Sequence, residues 1–223
     1  MFNIFRSNFL IFLMMKFFDF HHHHSKNNFG IYNLEFEEAP TNGWFSAGIL
    51  PAIISQEFET QFSWLKEISQ NENCIAIGEC GLDGLIKVDE KLQEEVFLKQ
   101  IEWANEIQKP LIIHCVRRFP QLISLCKKAK FPLIVHGFNK KKSIGEELLK
   151  NQFYLSFGKS LLENVNLQNF LEEISLDKIF LETDDANFEI ESLYQKVSEI
   201  KNISDENLIK TIHKNLKIFK KIR

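Results

Sequence analysis

Eight short apolar or β-rich runs recur along the chain with helix-like segments between most of them, and this alternation restricts the fold more than any other feature. The runs are residues 16–20, 30–37, 44–49, 74–78, 111–114, 133–136, 153–157 and 178–181. Apolar residues spaced near 3.6 fill 58–69, 90–107, 119–129, 144–150 and 161–174, and 204–218 reads as a closing helix with Ser204 at its cap. Strands that alternate with helices build a parallel sheet covered by those helices, and eight such units predict an α/β fold of the (β/α)₈ TIM-barrel type. Such a barrel usually takes about 250 residues and sometimes about 200, so a chain of 223 needs short loops throughout. The links among the first three runs are short and carry no clear helix, which leaves 30–37 the least defined strand. Residues 15–223 are expected to form one domain, with no low-complexity linker or internal repeat.

The ends of these runs carry the chemistry. Asp19-x-His21-x-His23 closes the first, Glu79 follows CIAIG, His114 ends PLII, His136 ends FPLIV and Asp184 follows KIFLET. The C-terminal strand ends of a (β/α)₈ barrel converge on one face, so five separate stretches are expected to form one cluster of imidazoles and carboxylates. Crowded carboxylates are costly to bury without counter-charge, and divalent cations supply it. His21 and His23, two apart on a strand, point to the same side and can reach one ion. By itself the HHHH run at 21–24 could be a tag fragment, and His114 or His136 singly could be a core histidine; their shared strand-end position favours the metal reading. Glu79, beside Gly78 and Gly81, suits a bridge between two ions, with an exposed turn glutamate as the plainer alternative. Asp184 has Asp185 next to it, and position rather than chemistry favours Asp184. Histidine-rich coordination favours Zn²⁺ or Mn²⁺, with Mg²⁺ possible.

Composition narrows the setting less. A net charge of −3 gives no global pull on nucleic acid, so phosphate recognition would have to come from a local patch or from metal. Cys74, Cys80, Cys115 and Cys126 form no CxxC pair and read as free thiols in a reducing, cytoplasmic setting. The opening MFNIFRSNFLIFLMMKFF has the apolarity of a signal peptide without a small-residue cleavage site. Met14 and Met15 directly precede KFFDF, so residues 1–14 are expected to be a non-structural extension. No later stretch is apolar over the ~20 residues a spanning helix requires, and no motif marks an obligate protein partner.

The motifs DFHHH, IGECGLD, PLIIHCVR, PLIVHGF and FLETD, in this order and approximate spacing, resemble the strand-end motifs of the TatD family of metal-dependent deoxyribonucleases, over about residues 16–220. That resemblance implies one metal held by His21, His23, Glu79 and Asp184 and a second by Glu79, His114 and His136. LYQKVSEIKNISDENLIKTIHKNLKIF is similar to the family's closing helices, with Asn215 at a habitual asparagine. Two departures stand out. Leu50, in Gly48-Ile49-Leu50-Pro51, replaces a histidine that family members usually carry, and Asp185-Ala186-Asn187 leads straight to a helix where relatives tend to have a loop rich in Arg, Asn and Pro.

The leading expectation is therefore a metal-dependent phosphodiesterase acting on DNA, a 3′ to 5′ exonuclease, with Asp184 as general base and Glu79 between the metals. A two-metal hydrolase of a small-molecule amide, lactone or phosphate ester is the alternative kept open by Leu50 and the missing loop, and a non-catalytic metal-binding barrel is a third. Arg117, three residues after His114, is a candidate phosphate contact or a surface ion-pair partner. Lys127, Lys128 and Lys130, and Lys140, Lys141 and Lys142, could face a phosphate backbone or be solvated lysines at helix ends; the second group follows His136 closely.

Overall fold

The computed structural model describes residues 17–24 and 29–219. The expected extension at 1–14, and Lys16 at the start of the first run, lie outside the described residues. Strands form at all eight expected places: β1 Asp19–His22, β2 Gly30–Leu34, β3 Phe45–Ala47, β4 Cys74–Asp83, β5 Leu111–Val116, β6 Leu133–Val135, β7 Tyr154–Phe157 and β8 Ile179–Leu181. They make one sheet in sequence order, each paired in parallel with the next. The ring closes just beyond β8. Asp184 bridges to His22, its N–H donating to the His21 carbonyl at 2.9 Å and its carbonyl accepting from the His23 N–H at 3.1 Å. Asp184 adopts φ 56°, a left-handed conformation that aspartate tolerates better than most residues, and this turns both of its backbone groups towards β1. The seam of the barrel is thus sewn by residues of the strand-end cluster.

Strands of a parallel barrel are covered by side chains inside and helices outside, so they tolerate little polarity that does not face the mouth. β2, β3 and β8 are buried along their whole length. The surrounding helices are α1 Phe58–Ile68, α2 Glu90–Ile107, α3 Phe119–Cys126, α4 Lys142–Lys150, α5 Ser160–Glu163, α6 Val165–Glu173, α7 Ile190–Lys201 and α8 Asp205–Asn215. Between β2 and β3 there is no helix, as the sequence suggested. The single helix expected over 161–174 is two. Asn164 interrupts it with extended backbone and accepts from the N–H groups of Asn166 and Leu167, capping α6. The closing helix ends at Asn215, whose side-chain amide donates to the carbonyls of Leu176 at 2.7 Å and Ile179 at 3.0 Å, tying α8 to the start of β8. Tyr194 on α7 fastens the other side of the seam, its hydroxyl donating to the Phe18 carbonyl at 2.9 Å.

β4 departs most from expectation. It does not stop at Gly78 but runs on to Asp83, so Glu79 sits within a strand and not at its end. Its register against β5 shifts between Ile77 and Cys80, and both nearby glycines have positive φ, 151° at Gly78 and 140° at Gly81. A β-carbon at Gly78 would stand 2.4 Å from the Ile112 carbonyl oxygen, and one at Gly81 2.1 Å from that of His114. Glycine therefore permits an irregular strand to press against β5 while the ladder continues, and Glu79 lies inside this irregularity. The Gly78–Glu79 peptide bond is cis.

Candidate metal centre

All six ligand-type residues expected from the sequence, His21, His23, Glu79, His114, His136 and Asp184, meet at the barrel mouth. Glu79, 3% exposed, is the hub. Its Oε2 lies 3.5 Å from Nε2 of His21 and 3.5 Å from Nε2 of His23, and its Oε1 lies 3.3 Å from Nδ1 of His114 and 2.6 Å from Nε2 of His136. Asp184 completes one side, with Oδ1 3.7 Å from His21 and 3.5 Å from His23. Two ligand atoms held about 2.1 Å from one ion at angles between octahedral and tetrahedral stand about 3.0–3.4 Å apart, close to most of these separations.

A second observation points the same way. Both ring nitrogens of His21 and of His136 are buried without a hydrogen-bond partner, although carboxylate oxygens lie near. Unsatisfied buried polar atoms are expensive unless something else binds them, and a cation bound by one nitrogen of each ring in its neutral form would relieve part of that cost. Three triads have ligand atoms within 4.8 Å of one another: His21–His23–Glu79, Glu79–His114–His136, and His21–His136–Asp184. The first two follow the division implied by the family resemblance, whereas the third crosses it. The residues present therefore fit divalent metal.

The electrostatics agree with a carboxylate surrounded by imidazoles. Burial alone would push the Glu79 carboxyl up, but His136, with His114 and His21 beside it, holds it well below the usual range. The converse holds for His136, where burial is overcome by Glu79 and Glu182 and the imidazolium persists well above its ordinary pKa. His23 is raised chiefly by its contact with Glu79. Burial raises Asp184 above the usual carboxylate range.

The family profile described as TatD related DNase matches residues 24–220. The chain belongs to this family. It is 34% identical over 132 residues to the metal-dependent hydrolase YabD of Bacillus subtilis, a match covering 56% of this chain and 52% of YabD. Over 163 residues it is 30% identical to a Rahnella protein named 3′-5′ ssDNA/RNA exonuclease TatD, covering 66% of this chain and 59% of that one. The matches thus span about half to three fifths of the length of these curated relatives. The crystal structure of YJJV, a TatD homolog from Escherichia coli K12, aligns with a TM-score of 0.79 over 92% of this chain and 98% of its own at 15% identity, a likeness of fold.

Around the TatD-type cluster stand four residues, Asp83, Glu182, Asn33 and Asp19, to which the sequence alone gives no ligand role. Asp83 Oδ2 lies 3.1 Å from Nε2 of His114, and Asp83 is itself gripped by Gln93, whose amide donates to its carbonyl at 3.0 Å. Glu182 is fully buried, accepts from the Gly137 N–H and approaches Nδ1 of His136 at 3.7 Å. Asn33 on β2 accepts the Glu79 N–H at 3.0 Å. Asp19 accepts from the Thr183 N–H at 2.9 Å and from its hydroxyl at 2.6 Å, and burial pushes its carboxyl up to about 6. IGECGLD and FLETD contain Asp83 and Glu182, so the motifs were visible while the partners of these two carboxylates were not.

Arg117 is exposed, forms no ion pair among the described residues, and lines a cleft with Lys140 between α3 and α4. Of the lysine groups, 127–130 lies in the connection from α3 to β6, on the opposite face of the barrel, because that connection feeds the N-terminal end of a strand. Lys142 is taken by Glu173 and Glu146, which leaves Lys140 and Lys141 on the mouth side. Leu50 lines a second cleft together with His23 and Asn33. Among the described residues no helix is long and apolar enough to cross a membrane, and the four cysteines are free and buried.

Proposed function

We propose that this TatD-family chain is a two-metal phosphodiesterase that trims DNA from the 3′ end. The observation that carries the reading is the Glu79 hub, where four imidazoles and a second carboxylate stand at ligand-to-ligand separations around one buried carboxylate. In this reading His21, His23, Glu79 and Asp184 hold one cation and Glu79, His114 and His136 the other, with Zn²⁺ or Mn²⁺ favoured over Mg²⁺. Two such ions would supply a nucleophile from water at neutral pH and neutralise charge building on phosphorus. The chain's own part is orientation and proton transfer. Asp184 takes a proton from the attacking water as its oxygen bonds to phosphorus, the bond to the leaving 3′ oxygen breaks, and that oxygen gains a proton from solvent. Asp83 and Glu182 fix the rings of His114 and His136.

The exonuclease name belongs to the Rahnella relative, and it supports the choice of bond and substrate here. Residues 15–223 act as one catalytic unit in a reducing, cytoplasmic setting, consistent with the four unpaired thiols. One observation favours a small-molecule amide, lactone or phosphate ester as a second reading: the cleft beside His23 is lined by Leu50, Ile53 and Phe36 and also by three glutamates. The full chain should be loaded in turn with Zn²⁺, Mn²⁺ and Mg²⁺ and given a 5′-labelled single-stranded oligonucleotide. Stepwise shortening that disappears in Glu79→Ala is expected. No shortening with any metal, by protein that retains its ions, would transfer the assignment to the small-molecule reading.

A further inference from the structure

Two clefts of opposite character flank the metal cluster, one lined by His23 of the cluster itself and the other by residues that follow His114 and His136 in the chain. One lies by β1, β2 and β3, has a volume of about 680 Å³, and is lined by His23, Asn33, Phe36, Leu50 and Ile53 with Glu35, Glu37 and Glu57 at its exposed rim. The other lies three strands further round, beyond β5 and β6, has a volume of about 1090 Å³, and is lined by Leu85, Phe119, Pro120 and Ile123 with Arg117 and Lys140 as its cations and Glu147 as its carboxylate. Arg117 follows His114 by three residues and Lys140 follows His136 by four, so both cations rise from strands that carry cluster residues. Only three large apolar side chains are exposed among the described residues, Ile53, Leu85 and Val165, and the first two sit one in each cleft. Each of the two stands among other apolar wall residues of its cleft, Leu50 and Phe36 in one and Phe119, Pro120 and Ile123 in the other, the kind of concave lining that small ligands and bases use. Phe36 is braced edge-on by Trp64 at 5.3 Å between ring centres, which gives the acidic cleft a fixed aromatic wall.

Resting on the phosphodiesterase reading above, the geometry points to a divided substrate site in which the acid-rimmed cleft takes the terminal nucleoside with its free 3′ hydroxyl and the Arg117–Lys140 cleft takes the phosphate-bearing strand. A terminal nucleoside in 3′ to 5′ trimming carries its only phosphate at the scissile position, on the metal side. Its base and sugar are uncharged and suit apolar walls such as Phe36, Leu50 and Ile53. A strand continuing past this point would bring a further phosphate against Glu35, Glu37 and Glu57, and like charges placed together are strongly disfavoured. The remaining strand must leave through the side that offers cations and apolar surface for bases. End selection is thus set by charge, and Leu50, where relatives usually carry histidine, widens the apolar wall on the terminal side.

The test uses the metal-loaded full chain and three substrates: matched oligonucleotides ending in a 3′ hydroxyl or a 3′ phosphate, and the p-nitrophenyl ester of thymidine 5′-monophosphate, which keeps the terminal nucleoside but lacks the strand. The 3′-hydroxyl strand should be shortened about tenfold or more faster than the 3′-phosphate strand, and that ratio should fall towards one in a Glu35→Gln, Glu37→Gln, Glu57→Gln variant. Arg117→Ala with Lys140→Ala should lower kcat/KM for the oligonucleotide more than for the ester and flatten the salt dependence of the former. Indifference to the terminal phosphate, an unchanged ratio in the glutamine variant, or equal losses on ester and strand in the alanine variant would each overturn the divided site while leaving the phosphodiesterase reading intact. Failure to cleave any of the three substrates would remove both.

Discussion

At the scale of single residues, Glu79 decides most. It touches both halves of the cluster, so Glu79→Ala should cost metal content as well as activity, which elemental analysis beside the oligonucleotide assay would separate from simple inactivation. Asp83 tests orientation. Asp83→Asn keeps the shape but loses the charge facing Nε2 of His114, and outer partners of this kind are worth about 10–100-fold in metal affinity or activity; a titration with Zn²⁺ that shows no weakening would remove Asp83 from the site. Protonation gives a third check. His136 without metal is held protonated well above the ordinary range, so at neutral pH a cation arriving at this ring must displace a proton. Affinity should therefore fall as pH falls, and calorimetry in buffers of unlike ionisation heat should register proton release at neutral pH; an identical heat in every buffer would contradict it. The ligand-type residues themselves could be picked out of the sequence because histidine and acid at the ends of apolar runs are rare and costly. Asn33, Asp83 and Glu182 could not, because their roles depend on which buried ring or amide they meet across the barrel.

At the scale of elements, the irregular β4 and the divided helix carry the lessons. The apolar run that marks this strand ends at Gly78. Here the β5 carbonyls of Ile112 and His114 crowd the positions where β-carbons would be, and this contact between strands makes glycine a requirement of pairing rather than its end. Gly81→Ala forces a side chain into a glycine-only conformation and against the His114 carbonyl, and should lower stability by at least about 1–3 kcal/mol in urea unfolding. A loss within error would mean that the strand relaxes freely there. Asn164 was hidden inside an apolar period that continued across it, and its capping bonds appear only once the chain bends. Asn164→Ala should cost about 0.5–2 kcal/mol by the same measurement, with little change in activity because α6 lies outside the ring. All eight strands were legible from their apolar runs, the weakly marked β2 included, because a barrel strand must be apolar on both faces wherever it does not meet the mouth.

At the scale of the whole molecule, closure and the candidate site are one structure. The bonds that join β1 to the segment after β8 run between His21, His23 and Asp184, the same residues whose side chains face the cluster. Cations bound there would brace the seam, so metal should stabilise the entire barrel. At a cation concentration about 100 times its Kd the gain is about 2.7 kcal/mol, or about 5–10 °C in Tm for a chain of this size, reversed by chelation. The most direct test is the number of divalent ions retained by the purified, reconstituted chain and by its His23→Ala, His114→Ala and Glu79→Ala variants, measured by mass spectrometry of the intact protein. Two ions in the parent chain, one in each histidine variant and none held tightly in Glu79→Ala are predicted. A parent chain that binds no ion, or variants that keep the parent's count, would contradict a two-cation centre built on Glu79.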